Sequence, residues 1–302
     1  MSRRRHTGRL AVVVLVGLAL AASSACGSTG TAPASARSAA PVAVDAGLRA
    51  QLPAKVLTTQ VLRIATDASY APMSSFGPDG RTIVGMEPDL AAALGRVLGV
   101  GVQFENDDFA TLLKRVSHGE VDLAMSAITD TPEREGSVDF VNYFTAGTSI
   151  VVQRGNPAGV TDIHDLCGKW VAVEAGTTQV DLLKRTQSNC ASTPIQVKTY
   201  PTNSDALVQL RTGRVAAVLN DLPPAVLLTT DARTRSQYQL ASTVQYEPAP
   251  YGIAVAKSQA GLRDAVQGAL QTIVASGAYV DVLTRWNVRS GAMTQITVNS
   301  GR

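Results

Sequence analysis

The stretch that decides the fold is Leu112–Asp130, LLKRVSHGEVDLAMSAITD. Apolar residues at Leu112, Leu113 and Val116 mark one face of a helix, and Gly119 follows where a helix C-cap needs a left-handed residue. A charged residue and the buried-strand pattern VDLAMS come next, ending in polar residues that include Thr129. The same order returns at Leu207–Pro223, LVQLRTGRVAAVLNDLP, with Gly213 as the cap and Asp221 near the strand's carboxyl end. Open α/β sheets bind ligands just outside that end, so the echo suggests two related lobes. Helix, Gly and strand recur in many α/β proteins, which keeps the weight of this echo modest.

Working outward, VLRIAT, PDLAAALGRVLG, VGVQFE and FATLLKRVSHG lead into this stretch as strand, helix, strand, helix. That is βαβ rhythm and implies a mostly parallel sheet. The rhythm restarts at SIVVQR, runs through WVAVEA, TQVDLLKR, IQVKTY, SDALVQLRTG, VAAVLN and PPAVLLTT to the strand YGIAVA, and ends in two helices from about Gly261 and Tyr279. A chain of 302 residues is comfortably long for two lobes.

The N-terminus is a targeting signal by pattern. Arg3, Arg4, Arg5 and Arg9 precede an apolar run, Leu10–Ala22, too short for a comfortable membrane span. SSAC follows and resembles a bacterial lipoprotein signal, with Cys26 as the residue to be lipidated. Ser23 departs from the leucine usual in such signals, so ordinary secretory cleavage also fits. From Gly27 to about Val44 the composition is Ser, Thr, Ala, Pro and Gly, which cannot bury a core and reads as a tether, with GLRAQL as a short amphipathic piece before the domain proper. Cysteine parity points the same way: one lipidated residue plus a Cys167–Cys190 bridge balances three cysteines, the alternative being two buried small hydrophobes. With the four signal arginines removed, the net charge falls from +3 to −1, so no basic nucleic-acid surface is implied.

Catalytic constellations are hard to assemble. His6 lies in the signal, His118 precedes a helix-ending Gly, and His164 sits in a polar turn. No metal-spaced cluster, nucleophile elbow or phosphate loop is present, and no cofactor is expected. SAITDTPER, Ser126–Arg134, is different. Thr131 can cap a helix that begins at Pro132, placing free backbone donors and the Arg134 guanidinium at one helix N-terminus, which suits a carboxylate. On residue physics alone, a capped helix with a surface arginine fits equally well.

The strings ATDASYAPM, VGMEPDLAAAL, FATLL, GEVDLAMSAITDTPER, VDF, VAVEAGTT, LND and YGIAVAK resemble, in order and spacing, the extracytoplasmic amino-acid-binding proteins of ABC importers, the family 3 solute-binding proteins, over about Val61 to Trp286. The resemblance implies a two-lobed α/β fold of the type II periplasmic-binding-protein class, with a discontinuous first lobe (59–146 and 252–302), a second lobe (147–251), a signal peptide (1–25) and an anchored tether (26–58). Two crossovers, near 144–148 and 246–251, would form the hinge. It implies that Arg134 clamps a ligand α-carboxylate, with Ser126, Ala127 and Thr129 bonding around the zwitterion. Gly176, Thr177 and Thr178 would close from the second lobe, and Asp221 would take the α-ammonium. A buried ammonium needs such a partner; as plain sequence, Asp221 also reads as a helix N-cap before Pro223 and Pro224.

Tyr70 and Phe109 match the aromatics that sandwich the ligand side chain in similar proteins, although Phe109 by itself reads as a helix core residue. Asp67 matches an acid at the far end of the ligand. Glu174 stands where glutamine binders carry lysine, which favours a cationic side chain if it faces the pocket and not solvent. The expected ligand is therefore arginine, lysine or ornithine, with glutamine or histidine next. The expected partners are an ABC permease and ATPase, the protein being a monomer held at the outer face of the cytoplasmic membrane by lipid alone. A dehydratase acting on cyclic amino-acid precursors and a ligand sensor for a membrane receptor are the alternatives on this fold.

Overall fold

The computed structural model describes residues 43–301. The signal, Cys26 and most of the tether lie outside them. Twelve strands follow in chain order: β1 Val61–Thr66, β2 Ser69–Tyr70, β3 Ser74–Phe76, β4 Ile83–Val84, β5 Gly101–Asn106, β6 Leu123–Ala124, β7 Val138–Gln153, β8 Trp170–Glu174, β9 Gln196–Tyr200, β10 Ala217–Asp221, β11 Tyr238–Leu240 and β12 Tyr246–Ala256. The helices are α1 Ala46–Arg49, α2 Ala54–Thr59, α3 Met86–Leu98, α4 Leu112–Ser117, α5 Pro132–Glu135, α6 Thr178–Thr186, α7 Asn203–Arg211, α8 Leu222–Thr230, α9 Ala260–Ala275 and α10 Ala278–Arg285.

Nine strands form one sheet in the order β5-β1-β6-β12-β7-β10-β8-β9, with β11 beside β7, while β2, β3 and β4 make a small separate sheet. β1 pairs in parallel with β5 and β6 in the first lobe, and β8 pairs in parallel with β9 and β10 in the second. The antiparallel pair β7–β12 runs through both halves. Where the sequence pattern restarts at SIVVQR, the backbone does not stop: VDF and SIVVQ belong to one 16-residue strand. Its burial is nearly continuous on both faces, so no alternation marks where one lobe ends.

Each lobe buries apolar residues on both faces of its part of the sheet. In the first, Leu90, Leu94 and Leu98 of α3 pack with Leu262, Val266 and Leu270 of α9, while Leu112 and Val116 of α4 cover the opposite face with Phe140. In the second, Leu182 and Leu183 of α6 lie on one face and Ala206 and Leu210 of α7 on the other. Fully burying a leucine is worth roughly 1.5–3 kcal/mol, so these stripes are what hold helix to sheet. Both predicted caps have the left-handed backbone they need, Gly119 and Gly213 each at φ +71°.

The tether expected over 26–58 ends earlier, near the limit of about Val44 that its composition marks. Asp45 caps α1 by accepting from Gly47 N and Leu48 N, Arg49 donates to the Leu98 and Gly99 carbonyls, and Leu52 and Val56 are buried in the first-lobe core. Four apolar residues at helical spacing, Leu48, Leu52, Val56 and Leu57, are too few to shift a compositional average but enough to dock two short helices. Cys167 and Cys190 form a disulfide in the second lobe, Cα–Cα 5.5 Å, which balances the described cysteines as parity suggests.

Candidate ligand-binding site

Four strands deliver their carboxyl ends to one place: Asp67 follows β1, Ser126 follows β6, Glu174 ends β8 and Asp221 ends β10. The first two belong to one lobe and the last two to the other. Between them lies a pocket lined by Asp67, Tyr70, Phe109, Ser126, Ala127, Thr129, Arg134, Glu174, Thr177, Thr178, Gln179 and Asp221. Of the twelve residues singled out in the sequence, eleven line it. Gly176 sits at its mouth, where its carbonyl accepts from Arg134 Nη2 at 2.8 Å.

Arg134 is positioned as its local sequence dictates. The Thr131 side chain accepts from Arg134 N at 3.3 Å and Pro132 opens the helix. That helix is a single turn, Pro132–Glu135, so the positive end of the site is the guanidinium itself and hardly a macrodipole. Arg134 Nη1 donates to Thr129 O at 2.7 Å, and its Cζ lies 5.7 Å from the Phe109 ring centroid. Burial lowers its pKa, with Asp181 and Asp221 opposing that shift. Phe109 satisfies both of its readings, half-buried against the α4 core on one side and facing the pocket on the other.

Asp221 resolves its own ambiguity. It stands at the N-cap of α8, yet its side chain makes no capping bond. The positions whose N–H groups a capping carboxylate accepts from are Pro223 and Pro224, which have none. Its oxygens accept instead from Gln179 Nε2 and Tyr251 Oη, each at 2.6 Å, and its own N–H donates to Tyr70 Oη at 2.8 Å across the lobes. Burial raises its pKa to about 6 despite these donors. Gln179 and Tyr251 escaped the sequence reading, and so did Glu87. Gln179 follows the GTT turn at the start of α6, while Glu87 and Tyr251 lie within the strings VGMEPDLAAAL and YGIAVAK without being marked as site residues.

Glu87 is fully buried and accepts from Ser74 Oγ at 2.6 Å, from Ala127 N at 2.5 Å and from Tyr143 Oη. Ala127 has φ +47°, an unusual conformation for a residue with a side chain. The bond to Glu87 is what holds this turn, so Glu87 shapes the pocket wall without lining it.

At the far end, Glu174 faces inward and not to solvent. It is 7% exposed and Asp67 is 3% exposed. Asp67 Oδ1 accepts from Ser69 N at 2.7 Å and its N–H donates to Ser126 Oγ at 2.9 Å. Glu174 Oε1 is buried with no partner, and burial followed by the charge of Asp67 pushes its pKa up to about 10. Among the described residues that line it, the pocket thus presents one cation and three carboxyl groups, Arg134 opposing Asp221 in charge while Asp67 and Glu174 have no such counterpart.

Two α/β lobes joined by paired strands, with residues of opposite charge lining a pocket between them, define the type II periplasmic-binding-protein fold. The chain belongs to the bacterial extracellular solute-binding proteins, family 3, whose family model matches residues 62–289. It is 26% identical over 256 residues to the arginine-binding protein ArgT of Corynebacterium glutamicum, covering 83% of this chain and 82% of that protein. An ancestral arginine-binding protein bound to glutamine superposes with a TM-score of 0.70 at 31% identity, covering 76% of this chain and 98% of that one. An ancestral amino acid-binding protein, described as a precursor of cyclohexadienyl dehydratase, superposes with a TM-score of 0.69 at 29% identity, covering 77% and 97%. The relatives support a polar amino acid as ligand and an ABC transporter as partner.

Proposed function

We propose that this protein captures a basic L-amino acid, arginine, lysine or ornithine, between its lobes and delivers it unchanged to the permease and ATPase of an ABC importer. The observation that carries the reading is the arrangement of charge: Arg134 and Asp221 complement an α-carboxylate and α-ammonium, and Asp67 with Glu174 offers negative charge where the ligand side chain ends. Arginine-binding relatives support the same choice, and glutamine or histidine ranks next. The β7–β12 pair near 144–148 and 246–251 acts as the hinge, so ligand favours the closed state by its differential affinity for it. Lipid on Cys26 would hold the protein, as a monomer, at the outer face of the cytoplasmic membrane.

A thermal-shift screen of the twenty amino acids plus ornithine and citrulline, followed by calorimetry, tests this. A basic amino acid giving the largest shift supports the reading; a neutral or acidic one giving it sinks the choice of ligand. The dehydratase-precursor neighbour favours one rival, in which the neutral Glu174 carboxyl donates a proton to a leaving hydroxyl. Recovery of intact ligand from the complex argues for binding, and turnover of a prephenate-like compound would establish the rival.

A further inference from the structure

In the proposed function Asp67 and Glu174 serve only as negative charge near the ligand side chain, yet their placement on opposite lobes has a further consequence. Asp67 is carried by the first lobe and Glu174 by the second, and both are buried and line the same pocket, with Glu174 Oε1 lacking any hydrogen-bond partner. Two carboxylates buried in one pocket are not both kept ionised there without a positive charge to offset them. The groups facing Glu174 from the surrounding elements do not supply one. Asp67 after β1 and Asp221 at the end of β10 are acids, Tyr70 of β2 is a neutral phenol, and the Asn203 N–H at the start of α7 offers only a dipole. Arg134, the one cation among the described residues lining the pocket, is engaged by Thr129 and Gly176.

We infer that the Asp67–Glu174 pair determines specificity by reading the charge of the ligand side chain: the cleft closes over it only with one added positive charge, brought by a cationic side chain or, for a neutral one, by a proton taken from water. This rests on the amino-acid-binding reading. The proton count follows directly. In an open cleft water would reach the pair and solvate its charge. Closing on arginine brings the positive charge with the guanidinium, with no proton exchanged. Closing on citrulline, which has nearly the same shape and no charge, takes up one proton onto the pair. The two ligands differ by one proton whichever state the empty protein prefers.

The sign is fixed by the raised pKa of Glu174. A complex that keeps it protonated is favoured fully below the ordinary carboxylate value of about 4.3 and is progressively lost as pH rises toward the closed-cleft value, about 10. Asp221 and the ligand α-ammonium titrate in both complexes and cancel in a ratio. Calorimetry with arginine and citrulline between pH 5.5 and 7.5 is therefore expected to show the citrulline-to-arginine Kd ratio rising about tenfold per pH unit, roughly 100-fold in all. Proton uptake of about one should accompany citrulline alone, read from paired buffers of different ionisation enthalpy. Glu174→Gln should flatten the ratio, and Asp67→Asn should do the same if the first variant folds poorly.

A ratio independent of pH in the wild type overturns the inference, as does a slope that survives in both variants. So does binding of arginine with no detectable binding of citrulline at pH 5.5. If neither ligand binds at any pH, the amino-acid-binding reading itself fails and takes this inference with it.

Discussion

An aspartate that opens a helix ordinarily turns its carboxylate back onto the amide N–H groups two and three residues ahead. Asp221 cannot, because prolines occupy both places, and its charge is left for the cleft. Tyr251 Oη donates to it at 2.6 Å, a charge-assisted bond. Tyr251→Phe should weaken ligand binding about tenfold by calorimetry, for a loss of roughly 1.5 kcal/mol. Arg134 is the harsher test. Removing it leaves a ligand carboxylate enclosed without its cation, a cost of about 3–5 kcal/mol, so Arg134→Ala should lower affinity at least 100-fold. The Thr131 cap is made to the backbone of residue 134, so the variant should unfold within a few degrees of the wild type in a thermal melt. Undiminished affinity would refute the assignment of the clamp. Arg134 and Asp221 were legible as chemistry because each follows a strand end and sits beside helix-opening prolines. Gln179, Tyr251 and Glu87 were not, since nothing local distinguishes a glutamine in a helix or a tyrosine in a strand from its neighbours.

At the scale of elements, the β7–β12 pair does the joining. Its register shifts between Tyr246 and Ala249, where Glu247 has φ +46°, and Gly147 lies opposite. A Cβ on Gly147 would meet Gln245 Cβ at 2.9 Å and Tyr246 O at 3.1 Å. Gly147→Val should therefore separate the strands locally and weaken binding although it touches no pocket residue. Small-angle scattering should show a smaller ligand-induced contraction than in the wild type. The second lobe carries its own restraint. The Cys167–Cys190 bridge spans a sequence separation of 23 residues. Reducing it should cost about 3 kcal/mol in the chain-entropy model and shift the denaturant midpoint downward, with first-lobe probes least affected. Gly, Pro and cysteine positions were visible in advance because they punctuate the chain. The continuous 16-residue β7 was not, because a strand buried on both faces shows no period.

For the molecule as a whole, the last residues matter beyond the family match, which ends at residue 289. Gly291 packs on Phe144, whose ring stacks on Tyr251 at 5.5 Å, and Tyr251 holds Asp221. Further on, Ser300 N donates to buried Asp130 at 2.9 Å and Gly301 N to Glu135 at 3.0 Å, bracketing the turn that carries Arg134. Truncation after Ala292 removes the buried Ile296 and these bonds. It should destabilise the protein by roughly 2–4 kcal/mol and weaken ligand binding as well, read as a lower melting temperature together with a higher Kd. Excess ligand should restore part of the melting temperature, in proportion to the logarithm of its concentration over Kd.

The sequence by itself determined the α/β class, the family, the caps at Gly119 and Gly213, and most of the residues that line the pocket. These are legible because strand ends, helix caps and turn residues are local chemistry repeated at short spacing. Tertiary structure alone decided which of them meet. Glu174 faces Asp67, Tyr251 and Gln179 hold Asp221, and the C-terminal segment braces both arms of the site, because these pairings follow from sheet order and from closure of one lobe on the other. Neither leaves a period in the chain, and the charge imbalance that points to a basic ligand exists only once the two lobes are brought together.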